Sequence, residues 1–181
     1  TVYAFSTENW KRSVEEVGAI MDLLRLYLKN YLQKFAKDNV RMHVIGDISR
    51  LDADIQEQIR NIEEMSKGKD GMTVHIALNY GGRDELRRGV TALGRQVQDG
   101  VLEPEEITED IISQSLDTAG VPDPELMIRT SGEERISNFL LWQLAYSEFY
   151  FTDKLWPDFT EEDLIDAIVQ YCGRERRFGA R

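Results

Sequence analysis

The sequence predicts an α/β fold with a mostly parallel central sheet that is flanked by helices. Short β-rich apolar runs alternate along the chain with longer segments whose apolar residues recur at helical spacing. The chain shows no internal repeat and no low-complexity linker, and its 181 residues suit a single domain over 1–181 with a sizeable core. In such sheets, ligands bind at the carboxyl ends of the strands.

The first half of the chain predicts two strands, each followed by a helix. The run "TVYAFS" (1–6) is a strand, and residues 13–38 have the apolar spacing of a helix. The run "RMHVIGD" (41–47) is a second strand, and the more polar residues 49–68 form a second helix. The first helix carries a wide apolar stripe, so we expect it to be covered on more than one side. The residues that widen the stripe are Leu23, Leu26 and Tyr27.

A third strand, "MTVHIALNY" (72–80), ends at Gly81-Gly82 and precedes a helix that we expect to reach about Val97. Residues 96–128 contain nine acidic residues and no Lys or Arg. We expect short surface helices there, broken by prolines.

The last part of the chain predicts two strands and a helix. The strands are "ELMIRTS" (125–131) and "EFYFTD" (148–153), and the helix covers 160–178. Thr160 followed by Asp163 resembles a capping box, which indicates that the helix begins there.

Composition and charge exclude several functional classes. The formal net charge of -11 argues against a nucleic-acid backbone as the main partner, so we expect no nucleic-acid binding. Cys172 is the single cysteine, which excludes an intrachain disulfide and a CxxC metal site and suits a reducing cytoplasm. No apolar run reaches the roughly 18 residues that a membrane-spanning helix needs.

Four polar segments follow the predicted strands and are the candidates for a ligand site: 6–12, Asp47, 79–83 and 129–137. In the third of these, "NYGGR" matches neither GxGxxG nor GxxxxGK[ST], so it indicates a tight turn more strongly than a nucleotide site.

Arg129 and Arg135 flank a glycine turn after the fourth strand, and Ser137 adds a hydroxyl. Guanidinium groups bind phosphate oxygens in bidentate fashion, so a diphosphate suits this set. The alternative is that both arginines are surface residues paired with Glu133 and Glu134. Spacing alone leaves the two interpretations nearly even.

After the first strand, Ser6, Asn9 and Arg12 surround Trp10. Residue type alone favours a helix cap with Trp10 as a packing anchor over a binding loop. Glu148, which follows a long apolar run, is either an edge carboxylate or a ligand of a hard cation such as Mg2+.

Two further groups of residues have a structural and a functional interpretation. The basic residues in "GRERRFG" (173–179) either complement the carboxyl end of a helix or reach toward an anion. His43 and His75 lie within predicted strands without zinc-binding spacing, which favours a structural role for both.

The motifs taken together resemble the cis-prenyltransferases, and within them the bacterial undecaprenyl diphosphate synthases. The matching stretches are "YAFSTENWKR" with Glu16-Val17, "NYGGR", "IRTSGEERISNFLLWQLAYSEFYFTDKLWPDF" and "RERRFG". They occur in the family's order over the whole chain, and the third is long and highly specific.

The resemblance implies an enzyme that adds isopentenyl diphosphate units in cis to farnesyl diphosphate. The product would be undecaprenyl diphosphate, the precursor of the bacterial cell-wall carrier lipid. It also implies Mg2+ as cofactor, a homodimer and a hydrophobic tunnel beside the sheet. We expect a cytoplasmic protein with peripheral contact at the inner face of the plasma membrane.

The resemblance also implies roles for individual residues. Arg129, Arg135 and Ser137 would bind isopentenyl diphosphate, and Glu148 would bind Mg2+. A mobile loop closing over the substrate would place Asn9 and Arg12 at the reacting centre, with Ser6, Trp10 and Glu16 beside them. Positions that face the tunnel would be Ala4 and Met72, and tail residues that reach a neighbouring subunit would be Arg176 and Arg177.

Two departures from the family pattern stand out. Ser13 replaces a usual proline, so we expect a less rigid entry into the first helix. The family's first motif, H-x-x-D-G-N-x-R-W-A, carries the catalytic aspartate and the allylic diphosphate cradle, and it has no counterpart in 1–181. We therefore expect further residues upstream of Thr1, and we expect 1–181 alone to be inactive.

Two alternatives stay open. Some partner subunits in the family are non-catalytic, although the presence of "STENW" (6–10), Arg129, Arg135 and Glu148 argues against that role here. The product could also have another chain length, because tunnel depth cannot be read from sequence.

Overall fold

The strands of the computed structural model, which describes residues 1–34 and 38–175, all pair in parallel. This arrangement confirms the predicted α/β class. The chain divides into two compact units, Thr1–Ala119 and Gly120–Arg181. A single domain over 1–181 stays a prediction.

The first unit contains a three-stranded sheet in the order β1-β3-β2. Its strands are β1 (Val2–Ser6), β2 (Val40–Ile45) and β3 (Met72–Tyr80). Parallel neighbours need crossover connections, and the long helices α1 (Val14–Lys34) and α2 (Ala53–Ser66) supply them. The predicted bounds of β3 agree with the structure at both ends.

The two crossover helices and the sheet share one apolar core. Burying a Leu, Ile or Phe side chain contributes about 1.5–3 kcal/mol, so this cluster stabilises the sheet that carries the strand ends. Its buried members are Phe5, Met21, Leu28, Met42, Leu51, Ile55, Ile59, Ile62 and Leu78.

The second side of α1 is not covered in the described part of the chain, which contradicts the expectation from its wide stripe. Leu23, Leu26 and Tyr27 are 51%, 53% and 65% exposed. Met21 and Leu28 of the same helix are buried in the core, because α1 turns only one face toward α2 and the sheet.

The rest of the first unit comprises α3 (Gly82–Gln98) and the short α4 (Glu109–Gln114). The acidic stretch between them agrees with the prediction, because a 3₁₀ turn begins at Pro104 and the side chain of Thr108 caps α4.

The second unit pairs β4 (Leu126–Arg129) with β5 (Glu148–Phe151) and ends with α5 (Glu161–Cys172). The predicted capping box is confirmed, because the Thr160 side chain accepts from the Asp163 backbone and the Asp163 carboxylate accepts from Thr160 N–H. The helix is shorter than predicted. It ends at Cys172, and the backbone N–H of the C-cap residue Gly173 donates to Val169 O at 3.1 Å.

Candidate active site

The segment after β1 forms a short 3₁₀ helix, Thr7–Lys11, that is closed by its own polar side chains. The backbone N–H of Ser6 donates to Asn9 Oδ1 at 2.7 Å, and the backbone N–H of Arg12 donates to Asn9 O at 3.0 Å. Asn9 therefore closes the turn, as the capping interpretation predicts. The turn leaves Arg12 exposed at its end.

Trp10 is anchored from three directions. Its ring meets Phe5 edge-on with centroids 5.1 Å apart, and the guanidinium carbon of Arg50 lies 5.0 Å from its centroid. Its indole N–H donates to Asn79 Oδ1 at 2.7 Å. The packing role predicted for Trp10 is confirmed, but the hydrogen bond to Asn79 is an addition that residue type did not indicate.

Asn79 brings together all three strand ends of the first unit. It lies near the end of β3, and its amide Nδ2 donates to the backbone oxygen of Asp47 at 2.6 Å. Because Trp10 follows β1 and Asp47 follows β2, the structure confirms that polar segments after these strands converge.

Ser13 caps α1, although the sequence departs from the family pattern there. Its hydroxyl accepts from the backbone N–H of Glu16 at 3.2 Å, and its carbonyl accepts from Val17 N–H at 3.0 Å. A serine at this position satisfies an orphan donor that a proline would leave open. Glu16 lies exposed in the first turn of the helix.

The turn between β3 and α3 is occupied by the protein's own carboxylates. The Tyr80 hydroxyl donates to Glu85 Oε2 at 2.5 Å, and Asp117 N–H donates to Glu85 Oε1 at 3.0 Å. Burial, together with the hydrogen bond to Glu85, raises the pKa of the Tyr80 phenol well above its ordinary value. A carboxylate at the start of a helix occupies the position where a phosphate would be stabilised. The geometry therefore favours the tight-turn interpretation of 79–83 over a nucleotide site.

Arg88 links this turn to the segment after α4. Its two terminal nitrogens donate to the carboxylate of Asp117 at 2.7 and 2.6 Å, and its Nε donates to Asp84 at 2.9 Å. Asp117 also accepts from Gly46 N–H at 2.9 Å. Gly46 has φ 111°, and a side chain there would meet Leu78 O at 2.1 Å, so glycine is required.

The turn after β4 is fastened to the chain that follows β5. Arg129 O accepts from Thr152 N–H at 3.0 Å, and Ser131 N–H donates to Lys154 O at 2.7 Å. Gly132 N–H donates to Thr152 O at 3.0 Å. Ser131 and Gly132 both have left-handed backbones, with φ 71° and 67°.

Arg129 and Arg135 differ in their surroundings. Within residues 1–34 and 38–175, the half-buried Arg129 side chain has no hydrogen bond or ion pair. Arg135 is exposed and pairs with Glu133. The surface-pair interpretation therefore holds for Arg135 and not for Arg129. Ser137 is exposed with φ 48°.

Glu148 forms an ion pair with Arg174, Oε2 to a guanidinium nitrogen at 2.7 Å, and both side chains are about one-third exposed. It begins β5 opposite Leu126, whereas Arg129 lies opposite Phe151, three positions further along. At a strand rise of about 3.3 Å per residue, the backbones of Glu148 and Phe151 are about 10 Å apart. The sequence did not indicate that Arg174 contacts Glu148.

Glu148 fits Mg2+ as a single oxygen ligand. In the described residues, no group of three or more His, Cys, Asp or Glu could hold a metal. Mg2+ bound with substrate typically takes one or two carboxylates, phosphate oxygens and waters, so a single, partly exposed carboxylate is compatible with that role.

The two tunnel candidates are both exposed strand residues. Ala4 lies within β1, and Met72 begins β3 with 64% of its surface exposed.

The histidine rings of His43 and His75 lie edge-on across β2 and β3 with centroids 5.6 Å apart. Burial and the neighbouring His43 lower the pKa of His75. His43 pairs with Glu63 at 2.8 Å, so both histidines are held structurally, as predicted.

Arg176 and Arg177 lie outside the described residues. No helix in the described part of the chain is long and apolar enough to cross a membrane.

Comparisons with known proteins agree with the motifs. The profile of the family described as "Putative undecaprenyl diphosphate synthase" matches residues 1–179. An isoprenyl transferase of Rhizobium meliloti (strain 1021) is 54% identical over 99% of this chain and 72% of its own length. A ditrans,polycis-undecaprenyl-diphosphate synthase ((2E,6E)-farnesyl-diphosphate specific) of Vibrio cholerae is 48% identical over 99% of this chain and 72% of its own length.

A solved structure shows the same architecture. Lavandulyl diphosphate synthase from Lavandula x intermedia, in complex with dimethylallyl diphosphate, superposes with a TM-score of 0.94 at 39% identity. The match covers 98% of this chain and 77% of that one. With this fold, these motifs and a profile match over residues 1–179, the chain belongs to the undecaprenyl diphosphate synthase family of cis-prenyltransferases.

Proposed function

We propose that the protein adds isopentenyl diphosphate units in cis to farnesyl diphosphate and thereby makes undecaprenyl diphosphate. The observation that carries this proposal is the family match over residues 1–179, a range that includes the diphosphate-binding candidates Arg129, Arg135 and Ser137. The name of the Vibrio cholerae relative, which specifies farnesyl diphosphate, supports the choice of allylic substrate.

Arg129, Arg135 and Ser137 bind the diphosphate of isopentenyl diphosphate in this proposal. Arg129 has no ion pair to give up among the described residues, so it supplies a ready guanidinium at a strand end. Arg135 leaves its ion pair with Glu133 to bind phosphate oxygens. The free-energy cost of breaking that pair is small, because an exposed ion pair contributes at most about 1 kcal/mol.

The segment after β1 serves the reacting centre. The allylic diphosphate has to leave, so positive charge must stand where negative charge develops. Arg12 is exposed and has no ion pair in the part of the chain that the structure describes. Asn9 fixes the turn that presents Arg12, while Ser6, Trp10 and Glu16 complete the loop.

Glu148 would hold Mg2+ in this proposal. Bound there, the metal would neutralise diphosphate charge, as Mg2+ does at phosphoryl groups. Arg174 covers the same carboxylate, so the guanidinium has to release Glu148 for a cation to bind it.

A hydrophobic tunnel lined by Ala4 and Met72 suits the growing product. Each buried CH2 contributes roughly 0.8 kcal/mol, and an apolar wall keeps water from the allylic cation. We also propose a homodimer in which Arg176 and Arg177 reach a neighbouring subunit, and peripheral contact of the protein with the cytoplasmic face of the membrane.

Product analysis tests the function. The full-length protein is incubated with farnesyl diphosphate, labelled isopentenyl diphosphate and Mg2+, and the products are separated by chain length. A product of eleven isoprene units is expected. Shorter or longer chains would assign another product length, and no condensation product would reject the proposal in favour of a non-catalytic partner subunit.

The site assignment has its own test. We expect Arg135→Ala to raise the Michaelis constant for isopentenyl diphosphate strongly while the constant for farnesyl diphosphate changes little. The matched control is Arg60→Ala, because Arg60 is an exposed arginine on α2. An unchanged constant for Arg135→Ala would reject the assignment.

A further inference from the structure

We propose that Asn79 is a positioning residue: its side-chain amide holds Trp10, and through Trp10 it sets the conformation of the 6–12 segment. This inference rests on the proposed function, because that segment carries Asn9 and Arg12. No sequence motif assigned such a role to Asn79.

The backbone of Asn79 shows why the position is unusual. Asn79 is 2% exposed and has φ 45°, in the left-handed region that most residues avoid. Glycine adopts this region most easily, whereas asparagine is one of the few other residues that tolerate it. Asparagine thus accommodates the backbone and also supplies an amide that glycine lacks.

Both ends of that amide are used. Oδ1 accepts from the indole N–H of Trp10 at 2.7 Å, and Nδ2 donates to Asp47 O at 2.6 Å. An indole nitrogen only donates and a backbone carbonyl only accepts, so a single amide orientation satisfies both partners. The side chain of Asn79 therefore connects the segments after β1 and β2 to β3.

Trp10 transmits this restraint to its neighbours in sequence. Phe5 and Arg50 hold its ring on other sides, so the hydrogen bond to Asn79 selects one ring orientation. Trp10 lies between Asn9, whose oxygens close the turn, and Arg12, whose N–H completes it. Releasing Trp10 would let this turn shift, and a misplacement of about 1 Å can cost on the order of 100-fold in rate.

The geometry separates the effect on turnover from the effect on binding isopentenyl diphosphate. We expect loss of the amide to lower kcat by about 10-fold or more. The Michaelis constant for isopentenyl diphosphate should stay within about twofold, because the residues assigned to that substrate belong to the other unit.

Four variants test the proposal. Asn79→Gly keeps the left-handed backbone and removes the amide, and Trp10→Phe removes the indole donor without touching that backbone. The double variant Trp10→Phe/Asn79→Gly tests coupling, since residues acting through one bond are not additive. Asn61→Ala is the control, because Asn61 is an exposed asparagine on α2.

The first readout is acrylamide quenching of Trp10 fluorescence, taken as the difference between a protein and its Trp10→Phe counterpart. We expect Asn79→Gly to increase this quenching and Asn61→Ala to leave it unchanged. Quenching needs no turnover, so it tests the contact even if the parent protein makes no product, an outcome that would reject the proposed function alone.

The second readout is steady-state kinetics. Trp10→Phe and Asn79→Gly should lower kcat to a similar extent, and the double variant should lose little more than either. Additive losses, or unchanged kcat and quenching in Asn79→Gly, would overturn the positioning role. If Asn79→Gly fails to fold, Trp10→Phe decides, because an unchanged kcat in that variant also overturns it.

Discussion

The strand ends of the two units are equipped differently. In the first unit, polar side chains near the strand ends form hydrogen bonds with other residues of the same unit, as Asn79, Glu85 and Arg88 do. In the second unit, Arg129 ends a strand with a guanidinium that has no partner among the described residues. Polar groups that are hydrogen-bonded within the protein fix a conformation, whereas a cation without an ion pair is available to an external anion. Arg12 of the first unit also lacks an ion pair among the described residues, so the comparison sets Asn79, Glu85 and Arg88 against Arg129. We expect the first group to position the chain and Arg129 to bind an anion.

The largest expected effect follows from removing the available cation. Arg129→Ala should lower kcat/KM for isopentenyl diphosphate by about 100-fold, equivalent to about 2.7 kcal/mol. That magnitude agrees with the roughly 2–5 kcal/mol lost when one partner of a buried charge-assisted contact is removed. Steady-state kinetics with varied isopentenyl diphosphate measure it.

Arg60→Ala provides the baseline for that experiment, since it removes an exposed arginine from α2. A loss below threefold in Arg129→Ala would contradict the assignment of an anion site.

Breaking the hydrogen-bond network of Arg88 in the first unit should lower the free energy of unfolding. Arg88→Ala leaves the Asp117 carboxylate without its bidentate partner, and the two side chains are only 28% and 18% exposed. Breaking a fully buried pair costs about 3–5 kcal/mol, so we expect a loss of about 2 kcal/mol in free energy of unfolding for this partly exposed one. Urea unfolding measures the loss.

Arg87→Ala is the matched control on the same helix, because its side chain is 64% exposed and its pair with Asp84 is worth at most about 1 kcal/mol. Equal losses of free energy of unfolding in the two variants would show that the hydrogen bonds of Arg88 contribute no more to stability than an exposed ion pair.

A smaller effect is expected at Glu148. Arg174→Gln removes the cation that covers this carboxylate, so affinity for Mg2+ should rise about threefold to fivefold, the scale of a partly exposed ion pair. Calorimetric titration with MgCl2 measures it, and Arg60→Gln shows the effect of net charge alone. If the two variants bind Mg2+ equally, Glu148 and Arg174 do not compete for the site as proposed.

The smallest effect concerns pH. Burial and His43 lower the pKa of His75, so the unfolded chain binds a proton there more readily than the folded one. The contribution of neutral His75 to the free energy of unfolding is therefore fully present above the unfolded pKa of about 6.5. It declines as pH falls, by at most about 1.4 kcal/mol per pH unit. His75→Gln should flatten the decline in free energy of unfolding between pH 7 and 5. An identical slope in both proteins would contradict it.

Much of the fold could be predicted because local signals agree with it. The third strand was bounded correctly by an apolar run and Gly81-Gly82, and the capping box placed the start of α5. Within residues 1–34 and 38–175, the cover expected over Leu23, Leu26 and Tyr27 is absent, because periodicity reports which residues are apolar and not which neighbours exist.

Part of the site could also be predicted, because the carboxyl ends of parallel strands meet at one edge. The pairing of Trp10 with Asn79 spans 69 residues, and that of Arg88 with Asp117 spans 29, so neither leaves a local pattern. The spacing of Asp84 and Arg88, four apart on a helix, was the one available signal for that network.

The measurement that tests the contrast most directly is calorimetric binding of isopentenyl diphosphate to the parent protein, Arg129→Ala and Arg88→Ala at a temperature where all three are folded. We expect Arg129→Ala to bind at least about 30-fold more weakly than the parent, as expected for loss of a charge-assisted contact. Arg88→Ala should bind like the parent while unfolding at lower urea. Equal affinity of Arg129→Ala and the parent, or a binding loss confined to Arg88→Ala, would contradict the assignment of anion binding to the second unit.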